Sequence, residues 1–331
     1  MRLHLARHGY GIMTGLVAGV AALAGPLGTT PASADYPDRP VKILVPYAPG
    51  GVADVSTRMV AQKLSERLKQ QFVIDNRPGA GGITASLAAA QSAPDGYTLV
   101  LTGNGTTISD SLFKTKPYDL LRDFTSISVM AQFDMLLAAR SDTPHGDVTR
   151  LVAFAKANPG KLNFGTIASG STQHLSAELF KGVTGVEAAM VTFRGTPDLI
   201  TALLRGDVDV GFDYLAAFAP ALQDSKLKII ASAGERRSPQ LADVPTVKEG
   251  GYPEYVVSAW NALSAPMGTP PDIIAKLNRE TNEVLKERDI QERGAQFGME
   301  MIGSTSDGML ERLKSDIVKW RKVIDKLGLA K

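Results

Sequence analysis

The stretch Val45-Pro46-Tyr47-Ala48-Pro49-Gly50-Gly51-Val52-Ala53-Asp54 constrains this chain more than any other. Val41 to Val45 before it reads as a short buried strand. Val55 to Gln70 after it carries Val55, Met59, Val60, Leu64 and Leu68 at helical spacing. A strand thus runs into a tight loop and a helix start. Gly50 and Gly51 permit backbone angles closed to other residues, so the main chain can approach a ligand closely. A helix start exposes unpaired N–H groups and a partial positive charge, which suits an anion. No lysine follows the glycines, as a phosphate-binding loop requires, and the G-x-G-x-x-G spacing is absent. The expected anion is a small carboxylate, and an ordinary strand-to-helix turn is the open alternative.

The same order repeats downstream. Phe72 to Asp75 reads as a strand, Asn76 to Gly82 as a second glycine-rich loop and Ile83 to Ala93 as a helix. Tyr97 to Thr102 reads as a third strand, followed by a loop at Gly103 to Thr107. This β-α-β-α-β order predicts parallel strands, with ligands at their carboxyl ends. An apolar run from Ile127 to Arg140 leads to a second set. There Asp147 caps a helix over 148–158, and a strand at 161–165 precedes the polar loop Thr166 to His174. A helix over 175–183 and a strand at 189–193 come next. Pro197 lies in the first turn of a helix capped by Thr196 and reaching Arg205, and Val208 to Asp213 is a further strand. Val256 to Pro266 reads as a strand leading back to the first lobe, followed by helices over 272–286 and 307–327. The reading is an α/β chain of two lobes with two crossing segments, near Leu137 and Ala262. Its divisions are a signal peptide over 1–34, a first lobe over 35–137 and 263–331, and a second lobe over 138–262.

Arg2 and Arg7, the apolar run Ile12 to Leu27 and the triplet Ala32-Ser33-Ala34 form a secretory signal peptide, with cleavage after Ala34. An uncleaved anchor is the alternative. Removing that segment takes away two arginines and no acid, leaving 34 basic against 34 acidic residues. That balance argues against nucleic acid and anionic membrane surfaces as partners. The chain has no cysteine, which excludes disulfides, thiolate nucleophiles and cysteine zinc sites. No metal or cofactor is expected.

Catalysis has little to rest on. Beyond the signal segment the only histidines are His145 and His174. Ser171 and His174 are neighbours, but no G-x-S-x-G elbow surrounds the serine. His174 reads instead as a helix-start group or a contact to a carboxylate. Asp54 and Asp198 suit helix N-termini, and Asp213 closes a strand where it could face a cleft. Arg77 and Arg194 each follow a strand, Arg77 reading as a tie within its own loop. Trp260 covers the cleft or fills the core.

Eight short motifs occur in order: Tyr36-Pro37-Asp38-Arg39-Pro40; Pro49-Gly50-Gly51 with Asp54; Asn76 to Gly82; Pro94 to Leu99; Pro117-Tyr118-Asp119 with Asp123-Phe124; Gly170-Ser171 with His174-Leu175; Asp243 to Val247; and Ala265-Pro266 with Gly268-Thr269-Pro270. Together they resemble the extracytoplasmic receptors of tripartite tricarboxylate transporters, the Bug receptors, over essentially the whole chain after the signal. The resemblance implies a type II periplasmic binding protein, or Venus flytrap, without catalysis. It implies a small di- or tricarboxylate or an acidic amino acid as ligand, and transporter membrane subunits as partners of a periplasmic monomer. It also implies that the Pro-Gly-Gly loop and the Gly-Ser loop of the other lobe hold the ligand carboxylates, partly through water.

The candidate ligand-binding set is Pro49, Gly50, Gly51, Val52, Ala53 and Asp54; Asn104; Ser169, Gly170, Ser171, Thr172 and His174; and Phe193, Arg194 and Asp213. A ligand sensor for a two-component system is the alternative function, and a hydrolase using Ser171 and His174 the third. The sequence departs from the family pattern where Gly51-Val52-Ala53-Asp54 stands for Gly-Gly-Gly-Thr-Asp. It departs again at Ser109-Asp110-Ser111 for an Asn-Pro pair, and at Phe193-Arg194-Gly195 for Tyr-Lys-Gly. Losing a hydroxyl at Val52 and Ala53 favours a less polar acid, aromatic or longer and aliphatic.

Overall fold

The computed structural model describes residues 36–79, 82–167 and 170–330. The signal-peptide segment and Ser169 lie outside the described residues. The first sheet begins with β1 (Val41–Val45), α1 (Val52–Leu68), β2 (Phe72–Asn76), α2 (Ile83–Ala90), β3 (Thr98–Gly103) and α3 (Asn104–Leu112). β1 is buried at every position except Lys42, as expected of a parallel strand covered on both faces. It pairs in parallel with β2 and β3. β4 (Phe124–Asp134) and β10 (Ser258–Pro266) complete the sheet in the order β2-β1-β3-β10-β4, with β10 antiparallel to both neighbours.

The second sheet repeats this plan. It comprises β5 (Leu136–Arg140), α4 (Val148–Ala157), β6 (Leu162–Ile167), α5 (Thr172–Thr184), β7 (Ala188–Phe193), α6 (Thr196–Arg205), β8 (Val210–Asp213), α7 (Leu215–Gln223) and β9 (Leu227–Ser232). Its order is β7-β6-β8-β5-β9, with β5 antiparallel to β8 and β9. Phe164, Phe180 and Phe212 pack around one another in its core, with ring centroids 5.3 to 6.0 Å apart. Tyr255 joins them, and its hydroxyl shares a 2.6 Å hydrogen bond with Ser176. α8 (Pro271–Leu285), α9 (Arg288–Gln296) and α10 (Ser306–Leu327) return to the first lobe. Lys63 of α1 clamps this return through Glu287 at 2.9 Å and Asp289 at 2.6 Å.

Two connectors join the sheets. The apolar run Ile127 to Arg140 is two strands, because Met135 breaks it between β4 in one sheet and β5 in the other. The second connector ends where β10 enters the first sheet at Ser258, ahead of the Ala262 read from the sequence. The connectors touch: Met135 N donates to Val257 O at 3.1 Å, and Val257 N to Ala233 O at 2.8 Å.

Three helices have no counterpart in the sequence reading. α3 replaces the loop expected at Gly103 to Thr107. Its Asn104, Thr106, Thr107 and Ser109 are buried polar residues, so it lacks the apolar stripe that marks a helix. α7 follows Asp213 directly, and α9 is short and highly charged. Thr196 is also corrected. It does not cap α6; Gly195 does, without a side-chain bond, and the threonine hydroxyl is engaged elsewhere.

Candidate functional site

In each lobe the central parallel strand lies between two others whose connections leave on opposite faces, and the crevice opens at its carboxyl end. For β1 that end is the glycine loop. Gly50 sits at φ +87°, a region L side chains rarely adopt, and turns the chain into α1. A side chain at Gly50 or Gly51 would meet no atom within 4 Å, so open space lies above both. Gly51 caps α1 without a side-chain bond, leaving the first-turn amides directed at that space.

Asp54 fixes the loop from beneath. Its carboxylate accepts from Gly50 N at 2.9 Å, Asn76 Nδ2 at 2.9 Å and Arg58 Nε at 2.9 Å. Burial alone would raise its pKa, but the bonds from Arg58, Gly50 and Asn76 outweigh it and hold the carboxyl below its ordinary value. Asn76 also donates to Tyr47 O at 3.0 Å, tying the end of β2 to the same loop. Arg77 pairs with Asp75 at 3.0 Å, within its own strand end.

The second lobe presents a matching helix start after β6. Gly170 has φ +86°, and Ser171 caps α5 by accepting from His174 N at 3.1 Å. Gly170 N–H points at His174 Nδ1, 3.4 Å away. The closeness of Ser171 and His174 in sequence is therefore a capping arrangement. Asp213, 2% exposed, ties three segments together beneath it. It accepts from Gln173 Nε2 at 3.0 Å, Thr196 Oγ1 at 2.8 Å and Tyr214 N at 2.9 Å. Among the described residues no cation joins this set of donors, and burial pushes the carboxyl above its ordinary pKa.

The start of α5 meets the head of α3. Asn104 at the head of α3 donates from Nδ2 to Thr172 Oγ1 across 3.0 Å, and accepts from Trp320 Nε1 at 2.9 Å. Burial pushes the Tyr214 phenol above its ordinary pKa. Burial pushes the Tyr47 phenol up to about 12. Gly105 lies beneath Tyr47, where a β-carbon would come within 2.0 Å of the phenol oxygen. Leu112 at the end of α3 packs on Gly170, 2.5 Å from where a β-carbon would stand.

Pro49 to Asp54, Asn104 and Gly170 to His174 thus sit on facing ends of the two sheets. Phe193 and Arg194 close the outer strand β7, with Arg194 exposed. Trp260 is fully buried and belongs to the core, with Nε1 bonded to Asp316. Tyr47, Gln173, Tyr214 and Trp320 were missing from the sequence-based set. Tyr47 and Tyr214 each follow a strand, a signal that was available. Trp320 sits mid-helix far along the chain, and nothing local announces it. Two open cavities lie away from these loops. One of about 350 Å³ beside the connectors is lined by Asp134, Arg236, Ser258 and Glu300, and one of about 360 Å³ lies near Pro94, Pro266 and Met267.

Two lobes of this strand order, joined by two connectors and opposing helix starts across a crevice, define a type II periplasmic solute-binding protein. The chain belongs to the tripartite tricarboxylate transporter family of receptors, whose model matches residues 56–329. It is 35% identical to protein BugT of Bordetella pertussis over 320 residues, covering 96% of this chain and 98% of that one. An R. palustris protein solved with adipate superposes with a TM-score of 0.83 at 34% identity, covering 89% of this chain and 99% of the other. MatC from Rhodopseudomonas palustris with bound malate gives 0.78 at 32% identity, over 87% and 100%. The family comprises periplasmic receptors that bind solutes rather than transform them.

Proposed function

We propose that this chain captures a small organic acid with two carboxylates between the loops Pro49–Asp54 and Gly170–His174, and delivers it to the membrane subunits of a transporter. The observation carrying this reading is the opposition of two helix starts on facing lobes, one with open space above its glycines. Each helix dipole contributes only about 0.3–1 kcal/mol to an anion. Micromolar affinity needs about −8 kcal/mol, so several charge-assisted N–H bonds from both first turns must act together in a closed, dry cleft. Relatives solved with adipate and with malate support a dicarboxylate. Val52 and Ala53, with no hydroxyl, favour a longer aliphatic or aromatic acid over a hydroxylated one. Asp54 and Asp213 act beneath the ligand by holding the amides in place. Ser171 caps α5 in a receptor that catalyses no reaction. The mature chain begins at Asp35 and works in the periplasm as a monomer.

Calorimetry with adipate, malate, citrate and benzoate tests this reading. One-to-one binding of adipate, tighter than malate or citrate, is the expected result. Silence from every acid would contradict it.

A further inference from the structure

A line of buried hydrogen bonds runs from the terminal helix through the first lobe and into the second. Trp320 on α10 is fully buried, and its indole N–H can only donate. It donates to Asn104 Oδ1 at 2.9 Å, which fixes the amide so that Nδ2 points across the gap. That Nδ2 donates to Thr172 Oγ1 at 3.0 Å. Asn104 is 3% exposed and Thr172 is 7% exposed. The Trp320–Asn104 bond lies within one lobe, whereas the Asn104–Thr172 bond exists only while the lobes are together.

We propose that Trp320, Asn104 and Thr172 form a latch, positioning residues that hold the Gly170–Ser171–Thr172 turn against α3 and set how long a captured anion stays. The proposal rests on the reading of the crevice as the ligand site. Three features favour it. The amide of Asn104 has both ends engaged by the protein, so its role is to join the lobes. Leu112 packs on Gly170 beside the bond, where the absence of a β-carbon lets the turn sit flush with α3. Trp320 has no exposed surface, and its indole N–H is spent on Asn104. A contact present in the closed state and absent in the open one shifts the balance between them, and apparent affinity follows the closed fraction.

The chain has no cysteine, so a label pair is readily introduced. Gln62→Cys on α1 and Lys156→Cys on α4 are exposed positions on opposite lobes. Spin-label distances in that background report closure without any ligand. The latch predicts a short-distance population in the parent chain that lengthens in Trp320→Phe, Asn104→Ala and Thr172→Val, and is kept in Thr172→Ser. Asn104→Ala and Thr172→Val keep the test open if Trp320→Phe fails to fold. Identical distance distributions in all of these chains would overturn the proposal. With adipate as the probe, Trp320→Phe should release it roughly tenfold faster with little change in association. Unchanged release would likewise overturn it. Failure of the parent chain to bind adipate would count against the proposed function alone, because the distance measurement still decides on the latch.

Discussion

The two lobes share one sheet order, and each places a buried aspartate beneath the loop that leaves its crevice edge, yet the two carboxylates are held in opposite ways. Asp54 has the Arg58 guanidinium at 2.9 Å, together with two amide donors. Among the described residues, Asp213 has only the neutral donors of Gln173, Thr196 and the Tyr214 amide. The first lobe therefore carries a self-contained, charge-compensated loop, open above its glycines. The second spreads its aspartate over three segments of chain and presses its loop against the first lobe. One side is built ahead of ligand, and the other is built to dock.

The largest effect expected from this contrast is at Asp54. Asp54→Ala strands the Gly50 and Asn76 donors and should cost about 3 kcal/mol, read from urea unfolding. Asp213→Asn keeps most of its bonds and removes a buried charge, so its loss at neutral pH should be much smaller. Equal losses would dissolve the distinction between the lobes. Next is Gly170→Ala, which forces an L residue into a left-handed conformation at about 1–2 kcal/mol and drives a methyl group into Leu112. Adipate affinity should fall about tenfold while a matched change at Gly50, with no neighbour to strike, affects closure less.

Acid titration sharpens the comparison further. The lowered pKa of Asp54 means its stabilisation is complete above its unfolded value of 3.8 and fades as pH falls through the lower folded one. The raised pKa of Asp213 works the other way. Its cost is absent below 3.8 and grows as pH rises to the higher folded value. Unfolding midpoints should therefore fall less steeply with acid below about pH 4 in Asp54→Asn, and more steeply above about pH 4 in Asp213→Asn. The smallest effect is at Val52→Thr, which restores a hydroxyl near the ligand. It should improve malate relative to adipate by less than about 1 kcal/mol, measured by competition calorimetry.

The parallel strands and their glycine loops were legible in the sequence because each stretch carries its own signal. Val41 to Val45 is apolar throughout, Gly50 and Gly51 follow a proline, and Asp147 stands ahead of its helix and bonds Arg150 N at 2.8 Å as a cap should. What escaped was whatever depends on a distant partner. α3 is a helix because Gly103 approaches Trp260 O so closely that a β-carbon would stand 2.2 Å away, and because Thr106 Oγ1 accepts from Gly103 N. Thr196 looked like a cap because no local pattern shows that Asp213 will take its hydroxyl. The site followed the same rule. The candidate loops carry local signals, and Asn104 and Thr172 are in the sequence-based set, whereas the bond between them and Trp320 behind it depend on partners far along the chain.

The central claim is that the backbone amides of both lobes grip a single dianion. A crystal structure of the chain grown with adipate tests it most directly. The account predicts one carboxylate on the amides of Gly51 to Ala53 and the other on those of Thr172 and Gln173. Adipate held by one lobe alone, or seated in the cavity beside Arg236 and Glu300, would contradict it.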